Sequence, residues 1–125
     1  ALIIGVKRTP AELKKLIASR TDKMLKAGLV KEVAGLLKKK YPSEFQGSTL
    51  GPVLRSNLGA LSGIHYKEII SYLRKEITLP EAIELINKND VKLIRRQLTW
   101  FKRDRRIKWI KNYTEANTLV KKFLQ

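Results

Sequence analysis

Between residues 92 and 103 the chain reads Lys-Leu-Ile-Arg-Arg-Gln-Leu-Thr-Trp-Phe-Lys-Arg. Guanidinium, ammonium, amide and indole groups interleave here in a way that suits a polyanion carrying exposed bases. Arg95, Arg96 and Arg103 can clamp phosphate oxygens in a planar fork, and Lys92 and Lys102 can neutralise phosphates and release their counterions. Gln97 can bond to a base edge, and Trp100 offers a π face to an unstacked base. If the segment is helical, steps of three and four bring Lys92, Arg95, Arg96, Thr99, Lys102 and Arg103 onto one broad side, while Leu93, Leu98 and Phe101 turn away to pack. Trp100 has a second reading as a core aromatic.

The whole chain agrees with an acidic partner. It holds 27 Lys and Arg against 11 Asp and Glu, for a net charge of +16, well beyond what solubility asks of a small domain. Residues 1–94 contain 17 basic and 9 acidic residues, and residues 95–125 contain 10 and 2, so the positive density is highest toward the C-terminal end. Solubilising surface lysines would explain a diffuse excess. Clustered arginine points instead to phosphate.

Other chemistries find little support. The absence of cysteine removes disulfides, thiolate metal sites and thiol nucleophiles, and fits a reducing, cytoplasmic setting. His65 is the only histidine, so neither a His-based triad nor a multi-histidine metal site can form, and it reads as a structural or solvent-facing residue. No phosphate-cradling G-x-x-x-x-G-K-S/T loop, no G-x-G-x-x-G and no H-E-x-x-H occurs. Glu81 and Glu84 share a helix face and read as acids favouring a helix N-terminus. No catalytic residue and no metal ligand set is therefore assigned in this segment. No apolar run reaches the roughly 20 residues of a membrane span, and the N-terminus lacks a secretory pattern.

These groups must be positioned by a mainly α unit, read as one unit over 1–125. Leu2 to Val6 is an apolar run typical of a buried parallel strand, and the alternation Arg106-Ile107-Lys108-Trp109-Ile110 is the one candidate for a second. Thr9-Pro10-Ala11-Glu12 supplies an N-cap, a first-turn proline and a returning carboxylate, and Gly28 is placed to end that helix. A second helix follows from Leu29 to about Lys39, giving a helical pair over 9–40. Residues 42–57 lose periodicity and read as a loop. A third helix spans about Tyr66 to Lys75. Thr78-Leu79-Pro80-Glu81 opens a fourth, the basic helix over about 79–103, with Ile83, Ile86, Leu93, Leu98 and Phe101 as packing residues and a kink expected near Asn87 to Asp90. Thr114 caps a last helix.

Three blocks resemble the tRNA dimethylallyltransferases, also called tRNA isopentenyltransferases. Arg95-Arg96-Gln97-Leu98-Thr99-Trp100-Phe101 with Trp109 is similar to the family's Arg-Gln-x-Thr-Trp signature. Pro10 to Met24 with Gly28-Leu29 and Glu32 resembles its Arg-before-Met and Gly-Leu-x-x-Glu segment. His65-Tyr66-Lys67-Glu68 with Tyr72-Leu73 resembles its Gly-Tyr-Lys-Glu and Tyr-Leu block. The resemblance implies the helical C-terminal portion of a P-loop-type α/β transferase, with the first strand left over from a parallel sheet. It implies transfer of a dimethylallyl group from its diphosphate to N6 of adenosine 37 in the tRNA anticodon stem-loop, with magnesium in the full-length enzyme and none bound by this segment. It places the phosphate loop, the catalytic Asp and the prenyl tunnel upstream, so the segment alone is expected to be inactive. It assigns Arg20 to the donor diphosphate and Tyr66, Lys67, Lys92, Arg95, Arg96, Gln97, Trp100, Lys102 and Arg103 to tRNA. An exposed strand edge would also allow chains to pair.

Two positions depart from the pattern. Asp90-Val91 stands where the resembled family usually has Thr-Arg, and His65 stands where it usually has Gly, changes expected to put a repulsive charge near phosphate and to block a close backbone approach or a positive φ angle. The alternative is an autonomous basic helical RNA-binding module without catalysis. A helix-turn-helix DNA reader fits less well, since no compact helix pair leads into the basic helix.

Overall fold

A computed structural model describes residues 1–40 and 65–125; the loop expected over 42–57 lies outside the described residues. The elements are β1 (Ile3–Val6), α1 (Pro10–Lys26), α2 (Leu29–Lys40), α3 (Tyr66–Leu73), α4 (Leu79–Phe101), β2 (Ile107–Ile110) and α5 (Tyr113–Leu124). The chain is mostly helical, as its periodicity requires, with one short parallel sheet.

α1 and α4 begin alike. The Thr9 hydroxyl accepts the Glu12 N–H at 3.2 Å while Glu12 accepts the Thr9 N–H at 2.9 Å, and Thr78 with Glu81 repeats the exchange at 3.3 and 2.7 Å. Each box satisfies two amides that a helix start would otherwise leave unpaired. Gly28 closes the turn after α1 at φ +102°, a conformation that costs a residue without Cβ little. The cap of α5 differs from the expected Thr114: Asn112 accepts the Glu115 N–H at 2.9 Å, and Glu115 accepts the Lys111 N–H at 2.7 Å. An Asn two residues earlier makes the same bond and lengthens the helix.

The core lies where α2, α3 and α4 meet, through Leu29, Val33, Leu37, Ile69, Ile70 and Ile86. α1 packs on α4 through Ile17 and Thr21, both buried. α4 runs unbroken from Leu79 to Phe101, through the weak stretch at residues 87–90. Its weak helix formers are tied sideways instead. Thr21 donates to Asn87 at 2.6 Å, Asn89 donates to Glu68 at 2.7 Å, and Asp90 is paired with His65. These bonds outweigh the local preference of Asn and Asp for bonding their own backbone.

The first strand has a partner within the chain. β2 runs parallel to β1 with Ile3 opposite Ile107, Gly5 opposite Trp109 and Val6 opposite Ile110, and the Lys7 N–H extends the ladder to the Ile110 carbonyl at 2.7 Å. Gly5 is required by this register: a Cβ there would lie 2.7 Å from the Trp109 ring and 2.8 Å from Ile107 Cγ2. The sheet thus releases Lys7 and Lys111 side by side from the carboxyl ends of its strands.

Candidate nucleic-acid interface

A cleft of about 850 Å³ opens where the strand ends, the start of α1 and the second half of α4 converge. Leu13, Ile17, Val91, Ile94 and Leu98 form apolar wall, and Lys7, Arg8, Lys14, Arg95, Lys102 and Lys111 supply cations around it. Glu12 is the one acid among the lining residues, and it is engaged by the Thr9 N–H. The N-terminus of α1 adds its own partial positive charge. Crevices at the carboxyl ends of parallel strands are where open α/β sheets hold ligands. This one would attract a phosphorylated ligand, and its apolar floor leaves the cations poorly screened on one side.

The cationic side predicted for the basic helix divides in two. Arg95, Thr99 and Lys102 line the cleft, whereas Lys92, Arg96, Gln97, Trp100 and Arg103 are exposed but do not line it. The Thr99 hydroxyl is spent on the Arg95 carbonyl at 2.9 Å. Leu98, assigned to packing, forms part of the cleft wall, and Phe101 is half exposed. Trp100 is 76% exposed, which sets aside its reading as a core residue among the described residues and leaves its ring open to stacking.

The other expected site residues lie apart. Arg20 is exposed on α1, three residues beyond the cleft-lining Ile17, and does not itself line the cleft. Lys67 is exposed at the start of α3. Tyr66 beside it is half-buried against the core and donates its hydroxyl to Glu32 at 2.9 Å; that bond, and then the Glu32 charge, raise the Tyr66 pKa above its ordinary value. Lys7, Arg8, Lys14 and Lys111 are the cleft cations that motif reading missed. Lys7, Arg8 and Lys14 fall within eight residues of the chain, and the parallel register of β1 and β2 brings the distant Lys111 to them.

Between α4 and β2, the guanidinium of Arg106 grips Asp104 with two bonds of 3.0 and 2.8 Å, and the Arg106 N–H adds a third at 3.0 Å. The guanidinium, followed by the backbone N–H, holds the Asp104 carboxyl down at about 2. Arg106 is thereby occupied within the turn.

Two expected handicaps do not arise in the form anticipated. His65 adopts the positive φ, at 78°, and Asp90 is 7% exposed with His65 Nε2 at 2.9 Å from both its oxygens, so its carboxylate is engaged inside the fold. Val91 lines the cleft, so the arginine expected there from the family pattern would have been a further cleft cation. Among the described residues, no three His, Asp or Glu side chains gather around one point. No described helix is long and apolar enough to cross a membrane.

Comparison with known proteins agrees with this architecture. A family model described as IPP transferase matches residues 1–104. A tRNA dimethylallyltransferase of Desulforudis audaxviator is 38% identical over 109 residues, covering 87% of this chain and 31% of the relative. One of Halothermothrix orenii is 40% identical over 131 residues, covering 98% and 36%. The crystal structure of the full-length tRNA isopentenylpyrophosphate transferase of Bacillus halodurans superposes with a TM-score of 0.72 at 26% identity, over 98% of this chain and 37% of that one. The chain therefore spans about a third of the length of these relatives. With the family model covering most of its length and its helical order shared with a solved member, the chain belongs to the IPP transferase family.

Proposed function

We propose that this chain is the C-terminal part of a tRNA dimethylallyltransferase and that its share of the work is to hold RNA. The observation that carries the reading is the cleft, in which cations from the strand ends and α1 face Arg95 and Lys102 of α4. Arg and Lys on both walls suit a sugar–phosphate track, because each neutralised phosphate releases counterions. Arg96, Arg103 and Lys92 extend the positive surface outward along α4, Lys67 adds a cation on α3, and Tyr66 marks the neighbouring edge. Exposed Trp100 with Gln97 is placed to meet an unstacked base, as a splayed anticodon-loop nucleotide would present.

In the transfer, N6 of adenosine 37 attacks the dimethylallyl carbon bonded to diphosphate, diphosphate leaves with the electron pair of the broken C–O bond, and N6 gives its proton to a base, a role for the catalytic Asp expected outside this chain. Arg20 would neutralise the departing diphosphate through a bidentate guanidinium. The phosphate loop and the catalytic Asp implied by the family resemblance would lie in the part of the enzyme outside this chain, and the whole enzyme would carry out the reaction in the cytoplasm. In the intact protein, with an anticodon stem-loop and dimethylallyl diphosphate, we expect prenyl transfer to occur. Arg20→Ala should reduce it by about 10²-fold or more, the scale of losing one stabilising donor at developing charge, while leaving RNA binding unchanged. Absence of transfer with tight stem-loop binding would favour the RNA-binding module without catalysis.

A further inference from the structure

The pair formed by His65 and Asp90 is buried, bidentate and remote in sequence, and none of the assigned roles uses it. His65 is 8% exposed and sits at the start of α3 in the left-handed region, a conformation that an L-residue resists. Asp90 lies in the middle of α4, and His65 Nε2 is 2.9 Å from each of its oxygens. A carboxylate only accepts, so Nε2 carries the proton and the tautomer is fixed. One turn of α3 further on, Glu68 accepts from Asn89. On the other side of α4, Asn87 is bonded to Thr21 of α1. Three polar side chains within one turn of α4 are therefore tied to two neighbouring helices, immediately before the cationic half that begins at Lys92.

We infer that His65 and Asp90 act as one coupled unit, a positioning clamp that fixes the direction of the cationic half of α4 against α3 and so aims Arg95, Thr99 and Lys102 into the cleft. The two residues are 25 positions apart in the chain and bind each other directly in the interior. Removing one partner leaves a buried polar group unpaired, which costs more than removing both together. Glycine at 65 would also relieve the left-handed backbone. The inference rests on the RNA-holding role proposed above, but the clamp has a signature that does not depend on RNA.

The test uses the intact protein carrying His65→Gly, Asp90→Thr, the two together, and Asp90→Asn, which keeps an acceptor oxygen. Stem-loop affinity is measured below the melting temperature of every variant, alongside thermal stability and the histidine ¹⁵N shifts that report the tautomer. Each single glycine or threonine variant should weaken RNA binding about tenfold and lower the melting temperature, Asp90→Asn should retain most of the affinity, and the double variant should bind within about twofold of the parent and melt above the worse single variant. Equal losses for the double variant and the worse single variant would overturn the coupled unit. Lower melting temperatures with unchanged affinity would reduce the pair to a fold element. If the parent protein binds no RNA, the proposed function fails, while the tautomer and the melting temperatures still decide whether His65 and Asp90 are coupled.

Discussion

At the scale of single residues, the signature around Trp100 announces its chemistry through residue types, but only the fold separates the groups that line the cleft from those that do not. Arg95 and Arg96 are adjacent in sequence, yet Arg95 lines the cleft and Arg96 does not, because one residue is 100° of helix. Arg106 shows the converse: it belongs to the densest basic stretch, and its guanidinium is held by Asp104. That pair yields a pH prediction. Asp104 titrates at about 2 in the folded chain against an ordinary 3.8, so the bonds steady the turn fully above about 3.8, and their contribution is lost as pH falls through about 2. Proton and ¹⁵N NMR of the Arg106 Nε–H between pH 4 and 2 should show a midpoint near the lower value; a midpoint near 3.8 would mean that the grip does not exist in solution.

Among the elements, helix starts were legible because their signals are local. Thr9-Pro10-Ala11-Glu12 and Thr78-Leu79-Pro80-Glu81 each contain the cap, the proline and the returning carboxylate within four residues, and both boxes form. The parallel pairing of β1 with β2 was barely legible, since its partners are about a hundred residues apart and each strand has only four residues. Gly5 carries that pairing in a single missing atom. Gly5→Ala should press a methyl group into the Trp109 ring and cost about 1–3 kcal/mol by overpacking, seen as a lower melting temperature and weaker RNA binding as Lys7 and Lys111 lose their alignment. A fully stable alanine variant would show that Trp109 does not cover Gly5. The continuity of α4 was hard to read for a related reason: Asn87, Asn89 and Asp90 are poor helix residues locally, and their compensating partners Thr21, Glu68 and His65 lie outside α4.

At the scale of the whole molecule, a net charge of +16 suits an acidic partner but does not say where one would bind. The fold concentrates part of that charge around one cleft and extends another part along α4, and this arrangement is the central claim. It is tested most directly by the salt dependence of anticodon stem-loop binding to the intact protein, parent against Lys102→Ala. The parent should lose affinity steeply with rising salt, and the variant's slope should be shallower by about 0.7 to 0.9, the share of one phosphate contact. Identical slopes and affinities for the two proteins would contradict the placement of RNA in this cleft.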